Sequence, residues 1–329
     1  MKEALDNLKF VQGAVDDNRL DPTLSHFLMR DGYVTGFNGT MQITAPLYDN
    51  VTLAPKAKEL IRALDQCEDD VEVRMTDTGN LRLLSGDFSA IVPTMNHTDL
   101  ALDLNPQKGT TIIAPLNILD VIRDIKPFIS DDASRTWSTG VLFGGGYAYA
   151  TNNIVVARIN TGVREDWWFN LPLFVVREML RINESPNAFV FHEDNTKITV
   201  LYPGDRRLTA VLGGMDWPNL NNILDQLELG DGVKADTIIE SIEKVMHFAG
   251  VDNGVYLGST AVSTSMDPKV EGAIAQCDTG ALETTCYAID QFRKLAGEGN
   301  MVDLTPYPNP APFWNNRNGL LGALVGMTV

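Results

Sequence analysis

The sequence predicts an α+β fold in which one unit, helix then hairpin then helix then hairpin, is written three times along the chain. Three observations carry that expectation. Apolar residues recur at helical spacing near the start of each third. Each such stretch is followed by β-rich runs broken at Gly or Asn turns. A second helical segment and a second β-rich run then close every third.

The leading helices show the stripe most clearly: Ala4, Leu5, Leu8 and Val11; then Ile118, Leu119, Ile122 and Ile125; then Ile238, Ile239, Ile242 and Val245. The hairpins that follow lie in 26–47, 138–159 and 253–266. In the second of these, Gly144, Gly145 and Gly146 read as a tight turn and not as a phosphate loop, because no helix follows them. The second helices are expected over Pro55–Asp65, Pro172–Ile182 and Cys286–Gly297, the first two opening on a proline whose missing N–H is harmless at that position. The closing β-rich stretches are 71–93, 188–212 and 301–327. Pro306, Pro308, Pro310 and Pro312 interrupt the last one, which predicts a loop or an edge there. Polar, Pro- and Gly-bearing stretches divide the chain into 1–108, 109–229 and 230–329.

A chain of 329 residues with 44% hydrophobic content can bury sizeable cores. No apolar run approaches a membrane span, and the charged opening segment lacks the apolar stretch of a signal peptide, so a cytoplasmic protein is expected. Cys67, Cys277 and Cys286 are far apart and suggest neither a disulfide framework nor a zinc site. No cofactor is expected. The four histidines form no metal-binding spacing. His97 beside Asp99, and His192 beside Glu193 and Asp194, leave a hydrolase as a minor reading. The net charge of −17 leaves a second one, an acidic non-catalytic protein that mimics nucleic acid.

The middle third carries the motifs that resemble a known family. Arg135-Thr-Trp-Ser-Thr-Gly-Val-Leu-Phe143 and Ala150-Thr-Asn-Asn-Ile-Val-Val156 are similar to the R-x-x-x-N-G-x-x-F and A-T-D-G-x-R-L patterns of the bacterial DNA polymerase III β sliding clamps. Phe169-Asn-Leu-Pro172 leads into a helix, Leu212–Leu220 resembles the family's L-x-D-G-x-F-P-x-Y, and Gly322–Val329 resembles its hydrophobic tail. Asn152 and Asn153 stand where the family has Asp-Gly, and Ile154 and Val155 replace a polar pair. A diverged clamp, such as a bacterial virus would encode, fits this pattern.

The resemblance implies a non-catalytic processivity factor whose partners are double-stranded DNA, a DNA polymerase, a clamp loader and a second copy of itself in a closed ring. It implies a partner-peptide pocket at Ser138, Thr151, Asn153, Ile154, Val155, Val156, Pro218, Asn222, Ile223, Leu324, Val325 and Met327. By position, the contact between copies would join Leu60, Leu64 and Phe88 to Met246, His247 and Phe248.

Charge placement supports helices that face a polyanion. The six helical spans 2–15, 54–64, 115–129, 171–182, 234–249 and 284–296 hold 13 of the 26 basic residues and 10 of the 43 acidic ones. They are net positive in a chain that is otherwise acidic. The candidate phosphate-facing residues are Lys9, Lys56, Lys58, Arg62, Arg123, Lys126, Arg177, Arg181, Lys244, Arg293 and Lys294. The resemblance adds Arg135 and Trp137.

Overall fold

The computed structural model describes residues 2–16, 21–47, 50–68, 70–100, 102, 108–162 and 167–327. The apolar stripes of the sequence form α1 (Lys2–Val11), α2 (Ala57–Asp65), α3 (Ile118–Ile125), α4 (Leu173–Ile182) and, after the short α5 (Asn221–Leu224), α6 (Ala235–Val245) and α7 (Ile289–Phe292). The stripe of α3 is nearly complete in its burial: Ile118, Leu119, Val121, Ile122 and Ile125 all face the core. Each such side chain removed from water stabilises the fold by about 1.5–3 kcal/mol before entropy is counted. Lys126 and Pro127 then tighten the chain into a 3₁₀ turn, Lys126–Phe128, because proline cannot continue the α ladder.

The chain divides into two compact units, Met1–Leu116 with Arg177–Leu212, and Asn117–Val176 with Gly213–Val329. The middle third of the sequence therefore contributes to both. In the first unit a seven-stranded antiparallel sheet runs in the order Leu28–Arg30, Tyr33–Phe37, Met41–Pro46, Arg206–Val211, Lys197–Tyr202, Ala188–His192, Gly109–Ile113. The hairpin of the first third is joined to that of the middle third by the pairing of Leu208 with Ile43. This join removes two sheet edges that would otherwise offer unpaired backbone groups. A three-stranded sheet, Glu72–Met75, Leu81–Ser85 and Phe88–Val92, completes most of the unit.

The second unit repeats this logic. Its eight-stranded sheet runs Phe169–Pro172, Gly140–Gly144, Tyr147–Thr151, Val155–Asn160, Leu320–Leu324, Ala311–Asn315, Met301–Val302, Val233–Lys234. The middle and last thirds meet where Val156 pairs with Ala323. Gly145 and Gly146, both at positive φ, make the two-residue turn of the first hairpin, as their spacing predicts. A four-stranded sheet holds Ile274–Gln276, Ala261–Ser263, Gly254–Gly258 and Thr285–Ala288.

The last third differs from expectation in two places. The helix expected over Cys286–Gly297 shrinks to α7 and the 3₁₀ turn Arg293–Leu295. Cys286 and Tyr287 belong instead to a strand, where Tyr256 pairs with Cys286 and the Tyr287 ring packs edge-on against Phe292 and Tyr307. The proline-rich stretch is a loop at 303–310, but Pro312 lies inside a strand, its carbonyl accepting from the Asp303 N–H at 2.9 Å.

Candidate functional site

The structure gathers most of the pocket candidates around one cavity of about 210 Å³ in the second unit, lined by Thr151, Asn153, Ile154, Val155, Val156, Pro218, Ile223 and Val325, with Trp137, Leu220, Pro310 and Ala323. No charged side chain lines it. Its floor is the core cluster of Leu142, Tyr149, Val156, Leu220, Leu224 and Ala323.

Its rim is built by local polar bonding. The Asn152 side-chain oxygen accepts from the Ile154 and Val155 N–H groups at 3.1 and 2.8 Å, and its amide donates to Gln291 at 2.6 Å. The Thr151 hydroxyl donates to the Val155 carbonyl at 2.8 Å and accepts from the Asn153 N–H at 3.1 Å. Asn153 has φ +73°. Asparagine is among the few residues other than glycine that adopt this left-handed conformation readily. The Asn-Asn pair can thus hold the turn for which Asp-Gly was the expected chemistry.

One wall is α5. Arg158 donates to Asn221 at 3.0 Å and pairs with Asp225 at 2.6 Å, while the Tyr149 hydroxyl donates to Asn221 at 2.9 Å. The buried Asn170 amide donates to the carbonyls of Trp137 and Gly214 at 2.9 and 2.7 Å, which fixes the segment leading to Pro218. Trp137 meets Trp217 edge to face.

Four candidates lie elsewhere. Ser138 is buried and donates to the Arg135 carbonyl at 3.0 Å. Leu324 is buried, because its strand alternates and turns Ala323 and Val325 to the cavity instead. Asn222 lines a neighbouring cavity. The Met327 backbone is tied to Cys286 and to the Tyr307 hydroxyl, and its side chain does not line the cavity. Trp137, expected on the DNA-facing side, also lines this cavity, and the sequence motifs do not assign Leu220, Pro310 and Ala323 to it. The alternation through Val325 could have found Ala323, whereas nothing local marks Pro310.

The basic candidates differ in what their side chains already bind. Lys9 pairs with Asp65, Lys56 with Glu59 and Arg123 with Asp120, at 2.7, 2.7 and 2.6 Å, and Arg293 lies 3.7 Å from Glu243. Arg181 is committed most deeply: it pairs with the buried Glu178 at 2.6 Å and donates to the carbonyls of Lys9 and Phe10 at the end of α1. Its guanidinium is therefore a helix cap more than a free cation. Lys58 is half-buried, and so is Lys294, whose ammonium is pushed down by burial despite the carboxylates of Asp131 and Asp290. Arg62, Lys126, Arg135, Arg177 and Lys244 are exposed and make no ion pair among the described residues.

Of the residues assigned by position to a contact between copies, Leu60 is only 2% exposed and lines an apolar cavity of the first unit with Leu64. It is core. Phe88 and Met246 are half-buried, and His247 and Phe248 are exposed on the 3₁₀ turn after α6.

The hydrolase candidates gain no support. His192 is buried, its ring 2.9 Å from the Thr199 hydroxyl, and burial pushes its pKa down. Among the described residues no group of three or more His, Cys, Asp or Glu side chains could hold a metal ion, and no helix is long and apolar enough to cross a membrane.

No family model matches the sequence, and neither does any curated protein. Solved structures do match in fold. A DnaN sliding clamp (DNA polymerase III subunit beta) from Pseudomonas aeruginosa, bound to griselimycin, is similar with a TM-score of 0.82 at 15% identity, over 100% of this chain and 98% of that one. The corresponding clamp of Bartonella birtlesii gives 0.81 at 17% identity over 100% and 98%, and the DNA polymerase sliding clamp of Bacillus subtilis 0.79 at 14% over 100% and 97%. The chain has the α+β fold of the bacterial β sliding clamps along its whole length.

Proposed function

We propose that this chain is a DNA sliding clamp, a processivity factor that encircles duplex DNA without sequence preference and tethers a DNA polymerase to it. The observation that carries this reading is the likeness in fold to bacterial β clamps over essentially the full length of both chains. In this reading 1–108, 109–229 and 230–329 are the three clamp modules, two chains close head to tail into a ring, and a clamp loader opens it. The chain performs no chemistry of its own. It acts in the cytoplasm, that of the host cell if a virus encodes it.

Charge explains how such a ring would hold DNA loosely. Arg62, Lys126, Arg135, Arg177 and Lys244 are the side chains best able to meet phosphates, because none has to leave an ion pair with another described residue first. Lys9, Lys56, Arg123 and Arg293 add positive field but are partly neutralised by their acids. Phosphate contacts carry no base information, so the bound ring slides. The acidic remainder of the chain repels DNA and confines it.

The cavity around Val156, Ile223 and Val325 would take the apolar side chains of a partner peptide, its uncharged lining favouring aliphatic or aromatic anchors. Small-angle scattering with sedimentation tests the assembly. A ring-sized dimer with a central hole is expected, and a compact monomer at every concentration would remove the proposal.

A further inference from the structure

A second cavity of about 380 Å³ lies beside the first within the second unit, and the two share Ile223 and Pro310 as a common wall. The remaining lining is Asn222, Gln226, Leu227 and Glu228 on one side, and Pro306, Asn309 and Pro312 on the other. Its chemistry differs from that of its neighbour. The first cavity has no charged lining, whereas here the exposed Glu228 carboxylate makes no ion pair among the described residues and no basic side chain lines the site.

The side chains of Asn222, Gln226 and Asn309 likewise make no hydrogen bond among the described residues, and all three are exposed. They leave donors and acceptors free for the backbone of an extended segment. Pro306, Pro310, Pro312 and Leu227 offer flat aliphatic walls to a ring. Tyr149, Asn221 and Arg158 hold the α5 side in place, and the Asn309 N–H, bonded to the Pro306 carbonyl at 2.9 Å, closes a turn on the other.

Resting on the peptide-pocket reading, we propose that the partner segment continues past the ridge of Ile223 and Pro310 into this second cavity, where it places an aromatic side chain between the prolines and Leu227 and a lysine or arginine against Glu228. Charge complementarity selects the cation. Continuity of the two cavities selects an extension of the same segment over a separate ligand.

Binding of two synthetic peptides to the full chain, measured by calorimetry, tests this. The short probe has five residues with one leucine and one phenylalanine. The long probes add phenylalanine, serine and arginine at the amino or the carboxyl end. One long probe is expected to bind about tenfold tighter than the short one, with the gain lost on Glu228→Lys and reduced on Leu227→Ala. Glu228→Lys should bind the short probe like the parent, which also reports that it is folded. Equal affinity of short and long probes, or a gain that survives Glu228→Lys, overturns the extension while leaving the first pocket standing. Failure of all probes, with Val325→Asp making no difference, counts instead against the pocket reading itself and takes the extension with it.

Discussion

Arg181 shows how a basic residue on a helix can be structural. Replacing it with alanine would leave the Glu178 carboxylate buried and unpaired and free the last carbonyls of α1. Arg181→Ala should therefore lower unfolding free energy by about 1–3 kcal/mol in denaturant titrations. Gly13 belongs to the same arrangement, since a Cβ there would sit 1.9 Å from a Glu178 carboxylate oxygen. At the pocket rim, Asn153→Gly should be tolerated, while Asn153→Val should cost about 1–2 kcal/mol because a β-branched residue resists positive φ. Glu298 gives a pH prediction. Burial, and secondarily the Asp124 carboxylate, push its pKa up to about 7 from an ordinary 4.5. The folded chain then binds more protons than the unfolded one between those values, so this contribution to stability falls as pH rises across that window. Glu298→Gln should flatten the change in melting temperature between the two ends of the window and should be the more stable protein above it.

Among the elements, α3 and α6 were legible because eight to eleven residues give the apolar period time to show. Four-residue α5 and α7 have no period to read, and the Thr-Cys-Tyr run before α7 has the β preference that the strand uses. Charge placement was legible too, but its pairing was not. Sequence shows that Lys9 lies on a helix, and only the packing of α1 beside α2 shows Asp65 at 2.7 Å. Likewise the Asn152–Val155 stretch departs from the family pattern in sequence, and only the structure shows the Asn152 side chain bonding the Ile154 and Val155 N–H groups with Asn153 at positive φ. The role of α5 as a wall makes a contrast testable. Leu224→Ala and Ile122→Ala both empty buried space and should each cost about 2–5 kcal/mol. Only Leu224→Ala should also weaken the short peptide, because α5 stands on that side chain.

At the scale of the whole molecule, the two large sheets each join hairpins from successive thirds of the sequence, through Leu208 with Ile43 and through Val156 with Ala323. Hairpins from all three thirds of the sequence thus contribute to the two largest sheets. A net charge of −17 coexists with exposed basic side chains at Arg62, Lys126, Arg135, Arg177 and Lys244 that make no ion pair among the described residues. Changing all five to serine should shorten residence on DNA and reduce its dependence on salt, without altering assembly.

Encirclement is a topological bond, so it is read from retention on DNA. After loading onto nicked circular plasmid and gel filtration in moderate salt, the protein should stay with the circle and be lost when a restriction enzyme linearises it. Equal retention on circular and linear DNA, or none on either despite successful loader-driven assembly, would rule out a ring closed around the duplex.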